Sequence, residues 1–171
     1  MNHANNMFLN CAVMTVSDTR TPDDDSSGDY LVDALSREGH RCVDRDIVKD
    51  NIYEIRRIFS EWIADSRIQV IISNGGTGFS LGNSLPEAVR PLLDKEITGF
   101  GEIFRQLSYG EVGSATIQSR ALAGYANGKL LFCLPGATKS CMTAWEGIIR
   151  DQLDCTYLPG NFATHFASTG G

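Results

Sequence analysis

Val70-Ile71-Ile72-Ser73-Asn74-Gly75-Gly76-Thr77-Gly78 passes without a break from a β-branched apolar run into a glycine cluster. A short run of this kind, ended by glycine, reads as a strand buried on both faces. Glycines at the carboxyl end of such a strand put flexible backbone at the sheet edge where open α/β folds bind ligands. They permit positive φ and close ligand approach, and Thr77 adds a hydroxyl, so the loop can offer amide donors to a phosphate. The spacing is neither GxGxxG nor GxxxxGK[ST], which excludes the Rossmann and P-loop forms. Taken alone, Gly-Gly-Thr-Gly serves equally well as a tight strand-to-helix turn.

Working upstream, residues 8–16 are nearly all apolar and read as a central strand. Polar residues 17–25, with Pro22, leave that strand as a loop, and Ser26 or Ser27 caps the helix that follows. Leu31, Ala34 and Leu35 share one face of it, and Gly39 stops it. Residues 41–48 form a second, weaker strand. Asp50 or Asn51 then caps a helix in which Ile52, Ile55, Phe59 and Ile63 recur at helical spacing. Strand, helix, strand, helix, strand is a βαβαβ unit, which predicts parallel strands with helices on both faces.

Downstream, helices are expected over 85–93, with Pro86 in the first turn, and over 100–107. Two apolar runs at 121–126 and 129–134 are joined by Asn127-Gly128, the dipeptide suited to a two-residue hairpin turn, so the sheet becomes mixed. Pro135-Gly136 ends the second run. A long helix follows with Cys141, Trp145, Ile148 and Ile149 as its buried stripe, and Trp62 likewise falls on a helical stripe. One domain over 1–171 is expected, with its core at about 8–153 and a surface tail at 154–171.

The chain has 171 residues, 42% of them hydrophobic, and a formal net charge of -6 with the signs interspersed. That balance gives no electrostatic footprint for nucleic acid or an anionic membrane. No apolar run approaches the ~18 residues that span a bilayer, and residues 1–10 lack a leader's pattern, so a cytoplasmic protein is expected. The five cysteines (Cys11, Cys42, Cys133, Cys141, Cys155) have no CxxC or Cys/His spacing; reduced, buried thiols are expected and zinc is not. His3, His40 and His165 suggest no histidine-based nucleophile or metal site.

Several separated blocks match one family in order: Asn74-Gly-Gly-Thr-Gly78, Gly99-Phe-Gly-Glu-Ile-Phe-Arg105, Ser119-Arg-Ala121 and Leu134-Pro-Gly136, with Val16-Ser-Asp18, Asp25-Ser-Ser-Gly28 and Ile47-Val-Lys-Asp50 upstream. Over residues 12–153 the chain resembles the molybdopterin-binding family that contains MoaB, Mog and the gephyrin G domain; residues 100–123 and 135–145 look most like its MoaB branch. The resemblance implies a three-layer α/β/α sandwich with a mostly parallel sheet and a C-terminal hairpin. It implies binding of molybdopterin and, in active members, its adenylylation by ATP with Mg2+, releasing pyrophosphate. A non-catalytic or weakly active binding module is the alternative. It further implies a homo-oligomer, trimer or hexamer. Phe100, Phe104 and Tyr109 would be interface aromatics, or else buried within the subunit.

By the same resemblance Asp50 is the aspartate associated with magnesium and nucleotide, unless it only caps the helix. Gly75, Gly76, Thr77 and Gly78 receive phosphate. Ser17 and Asp18 leave the first strand at the same edge, and Ser119, Arg120, Pro135, Gly136 and Ala137 shape the pterin pocket. Arg120 is a candidate oxyanion contact through its planar fork, or a structural ion pair to Glu102, itself a candidate contact. Glu102 and Arg105 are also spaced to pair with each other on a helix. Two positions depart from the family. Asn83 stands where many members carry an aspartate, and contributes no charge to a metal. Ala137 replaces a Ser or Asn, leaving Thr138 to supply the hydroxyl.

Overall fold

The computed structural model describes residues 7–167. Its strands are β1 (Asn10–Val16), β2 (Arg41–Val48), β3 (Val70–Asn74), β4 (Lys95–Glu96), β5 (Leu122–Ala126) and β6 (Lys129–Leu134). They form one six-stranded sheet in the order β2-β1-β3-β6-β5-β4. β2, β1, β3 and β6 run parallel; beyond them β5 pairs antiparallel with β6, and β4 antiparallel with β5. Helices α1 (Ser26–Arg37) and α2 (Ile52–Ala64) are the crossovers of the βαβαβ unit, and α3 (Leu85–Val89) and α4 (Thr98–Val112) lead into the hairpin. α5 (Thr138–Ala144) continues through a wide turn, Trp145–Ile149, into α6 (Arg150–Gln152), and α7 (Thr164–Ala167) follows.

Period-two alternation splits the strand side chains between two cores. Val13, Ile72 and Phe132 join Leu31, Leu35, Phe104 and Trp145 on one face; Met14, Ile71 and Leu131 join Ile55, Phe59, Trp62 and Leu85 on the other. The result is the expected three-layer α/β/α sandwich. Asn127 and Gly128 both have positive φ (50° and 74°), as a two-residue hairpin of the primed type requires. None of the five cysteines is disulfide-bonded, and burial pushes the Cys133 thiol up to about 12.

Several expectations are corrected. Asp25, not Ser26 or Ser27, caps α1 by accepting from the Gly28 N–H. Of the two caps expected for α2, Asp50 or Asn51, it is Asn51 that serves, its Oδ1 accepting from the Tyr53 and Glu54 amides. α3 lasts only to Val89 and gives way to a 3₁₀ turn at Arg90–Leu92, because Pro91 has no N–H to continue the α-helical hydrogen bonds. α4 outlasts the predicted 100–107 and ends at Gly113, with φ 64°. Phe100 and Phe104 are buried and stack in the subunit core, whereas Tyr109 is exposed. The segment expected as a surface tail is tied back: Ala163 is fully buried, and the Phe162 and Ala163 amides donate to the Gln152 carbonyl.

Candidate functional site

The carboxyl ends of β1, β2, β3 and β6 bring four loops to one edge of the sheet. The Ser17 N–H donates to the Val48 carbonyl (2.9 Å), and the Gly75 N–H to the Leu134 carbonyl (3.0 Å). Gly75 and Gly76 have φ of 91° and 74°. A Cβ at Gly75 would lie 2.2 Å from the Val16 carbonyl oxygen, so no side chain fits there. At Gly76 it would meet Leu85 Cβ and Val16 Cγ1 at 3.1 Å and Asp50 Oδ2 at 3.5 Å. At Gly136 it would come within 3.3 Å of Gly75 Cα. The glycines therefore set how closely the β3 and β6 loops approach each other and β1.

Asp50 ties these loops together. Its Oδ1 accepts from the Ser84 amide (3.0 Å) and hydroxyl (2.6 Å), and its own amide donates to Asp18 Oδ1 (3.0 Å). Asp50 Oδ2, the oxygen nearest Gly76, makes no hydrogen bond among the described residues. Ser17 Oγ accepts from the Thr19 and Arg20 amides. Asn83 places its side-chain amide against Gly78, where a Cβ would meet Nδ2 at 3.0 Å. Thr77 is buried, and its carbonyl accepts from the Arg120 amide at 2.8 Å.

Arg120 holds the loop rather than standing free. Nε donates to the Gly78 carbonyl (3.0 Å), Nη2 to the Asn83 carbonyl (2.6 Å), and Nη1 pairs with Glu87, whose carboxyl this arginine holds below its ordinary range. The ion pair to Glu102 is thus replaced by one to Glu87. Glu102 is exposed on α4, and Arg105 donates to the Ser119 and Ala121 carbonyls instead of pairing with it. Ser119 Oγ is buried without a hydrogen-bond partner among the described residues. The Pro135 carbonyl accepts from the Cys141 thiol, and Gly136's carbonyl from the Ser27 hydroxyl (2.7 Å). Ala137 caps α5 with no side-chain bond, while the Thr138 hydroxyl joins those of Ser26 and Ser27.

Sequence reasoning missed the residues beneath the loop. Asp25 is fully buried; it accepts from Thr15 Oγ1 (2.9 Å to Oδ2), the Gly28 amide and Arg45 Nη2 (2.9 Å), with Arg20 Nη1 at 3.7 Å. Thr15 in turn accepts from Asn74 Nδ2 (2.9 Å), the residue immediately before Gly75. Asn74 Oδ1 is buried and unpartnered among the described residues. The available signal was Asp25 three residues before Gly28 at a helix start, a capping pattern. Ser17, Asp18, Arg20, Arg45 and Lys49 also line an open cleft of about 510 Å³ at this edge, a local concentration of cations in an acidic protein. Among the described residues no three His, Cys, Asp or Glu side chains converge as a metal cluster, and no helix is long and apolar enough to cross a membrane.

The family model described as "Probable molybdopterin binding domain" matches residues 12–154. The chain belongs to the molybdopterin-binding domain family. It is 52% identical to Molybdenum cofactor biosynthesis protein B of Escherichia coli (strain K12), over 90% of this chain and 91% of that protein. It is 43% identical to the protein of that name in Halalkalibacterium halodurans, over 85% of this chain and 86% of that one. A crystal structure of Molybdenum cofactor biosynthesis protein B superposes with a TM-score of 0.83 at 38% identity, covering 86% of this chain and 92% of that one. The tungsten cofactor synthesizing protein MoaB from Pyrococcus furiosus gives 0.74 at 36%, covering 82% and 90%. The mixed six-stranded sheet is thus this chain's form of the molybdopterin-binding domain, and the glycine loop sits at the carboxyl edge of its parallel strands.

Asp25 is the part of this family site most exposed to test by stability. Asp25→Ala removes a helix cap, worth ~1 kcal/mol, and leaves the buried Thr15 hydroxyl without its acceptor, ~1–3 kcal/mol more, while Arg45 keeps Asp29. A drop of roughly 2–4 kcal/mol in urea unfolding free energy is expected; a loss under about 1 kcal/mol would contradict the network's role.

Proposed function

We propose that the chain works in molybdenum cofactor biosynthesis, binding molybdopterin with its phosphate against the backbone of residues 75–78 and adenylylating it with ATP. The observation that carries this reading is the place of residues 75–78: a positive-φ glycine turn at the carboxyl ends of the parallel strands, beside the Asp50 carboxylate. The names of its relatives, Molybdenum cofactor biosynthesis protein B, support the pathway.

In the reaction the terminal phosphate oxygen of the pterin attacks the α-phosphorus of ATP. A new P–O bond forms, the α–β bridging P–O bond breaks, and pyrophosphate leaves. The protein's task is to align two anions and offset their repulsion. The 75–78 backbone receives one phosphate group, and the cations of the adjoining cleft, Arg20 and Lys49, face the other. Ser17 and Asp18 border that cleft, while Ser119, Pro135, Gly136 and Ala137 form the side of the pocket toward the pterin. Arg120 and Glu87 act by fixing the loop that carries Asn83.

Asp50 is the residue that fits magnesium, because its Oδ2 is uncommitted and points toward the glycine loop. Bound there, the ion would neutralise phosphate charge as it develops. One carboxylate suffices for an ion that takes its remaining ligands from phosphates and water. Asn83, neutral beside Gly78, favours the second reading: a molybdopterin-binding module whose own turnover is slow.

We further propose a homo-oligomer, trimer or hexamer, through exposed apolar side chains of α4, Ile103, Leu107, Tyr109 and Val112, while Phe100 and Phe104 belong to the subunit core. Thiols that form no disulfide, Cys11, Cys133 and Cys141 buried and Cys42 and Cys155 half-buried, suit the proposed cytoplasmic setting. Light scattering at micromolar concentration and moderate salt should report a mass of three or more chains; a monomer contradicts the assembly.

Incubation of the purified protein with molybdopterin and MgATP tests the chemistry. Adenylylated pterin and pyrophosphate at a catalytic rate favour the enzyme; tight binding without product favours the module. At saturating magnesium, Asn83→Asp should raise turnover by tenfold or more, each ~1.4 kcal/mol of barrier being worth about tenfold, with pterin affinity little changed. Asp50→Asn should lower whatever turnover exists. Unchanged turnover in Asn83→Asp, in a parent that already works at a healthy rate, would show that Asn83 limits nothing.

A further inference from the structure

The 79–82 loop is built against the usual rule for a loop tip. Phe79 is 78% exposed and Leu81 fully exposed, immediately after the last glycine of the cradle. Exposing two large apolar side chains forgoes burial that would stabilise the fold, so their place beside the ligand site calls for a physical reason. The loop's ends are fixed. Arg120 donates from Nε to the Gly78 carbonyl and from Nη2 to the Asn83 carbonyl, and the Asn83 amide closes a turn onto the Ser80 carbonyl at 2.9 Å. A tip held at both ends presents its side chains with little ordering cost on binding. The groups of the cradle itself, glycine backbone, Asp50 and Ser84, address phosphate and cation and offer nothing to a planar ring.

We propose that Phe79, backed by Leu81, is the apolar wall on which the planar heterocycle of the phosphorylated ligand stacks, and so a specificity-determining residue of the site. The proposal rests on the phosphate cradle at residues 75–78. An aromatic side chain gives a π-face to a purine or a pterin alike, and the ring's phosphate, held one residue away, fixes which face it meets.

The test uses the full chain and isothermal titration with two ring-bearing ligands, ATP and molybdopterin, and one without a ring, inorganic pyrophosphate. Phe79→Ala should weaken at least one ring-bearing ligand by about fivefold or more and leave pyrophosphate within about twofold. Phe79→Tyr, which keeps the ring, should restore the loss. Whichever of ATP and molybdopterin responds identifies the heterocycle that stacks. If Gly76→Val folds and binds pyrophosphate as the parent does, the cradle fails and the stacking wall falls with it. If Gly76→Val abolishes pyrophosphate binding but Phe79→Ala binds ATP and molybdopterin as the parent does, the wall alone is overturned.

Discussion

The structure depends on one buried carboxylate. Asp25 sits with no solvent exposure between the end of β1, the start of α1 and the edge strand β2, and it is held by Thr15, the Gly28 amide and Arg45. A carboxylate in such a place is tolerable only with its oxygens fully engaged. Its bond to Thr15 passes to Asn74, and Asn74 is the last residue of β3 before the glycine loop. The helix cap, the β1–β2 junction and the starting point of the glycine loop are thus one hydrogen-bonded unit.

From that unit the rest of the edge follows. Gly75 must be glycine because the Val16 carbonyl occupies the space of its Cβ, and its amide is already spent on Leu134. Gly76 lies over Val16 and Leu85, with Asp50 beyond. Asp50 and Arg120 approach the loop from opposite sides, one through Ser84 and the other through Gly78 and Asn83. An anion bound as proposed would meet backbone rather than a field of lysines, in keeping with a chain of net charge -6.

The fold was largely legible because its signals are local. The apolar run at β3, the helical spacing of Ile52, Ile55 and Phe59, and Asn127-Gly128 each depend on a few neighbouring residues. β4 escaped notice because Lys95–Glu96 is two charged residues at an edge, with no alternation to read. The site was legible in its backbone part and less so in its side chains. Glycines next to a strand announce a turn, but which partner Arg120 takes is set by tertiary packing, and Glu87 is 33 residues away from it in sequence. Asp25 was hidden for the same reason: its closest side-chain partners, Thr15 and Arg45, come from β1 and β2. Phe100 and Phe104 show that apolar periodicity on α4 marks burial without saying whether a subunit's core or a neighbour provides it.

The central claim is that the backbone at residues 75–78 receives the phosphate of a pterin. A crystal structure of the protein grown with molybdopterin tests it most directly. The account predicts phosphate density within hydrogen-bonding distance of amides in that loop, with the pterin extending toward Ser119 and Gly136. Density for the ligand in the smaller cleft at the opposite end of the sheet, among His40, Arg150 and Asp154, would contradict it.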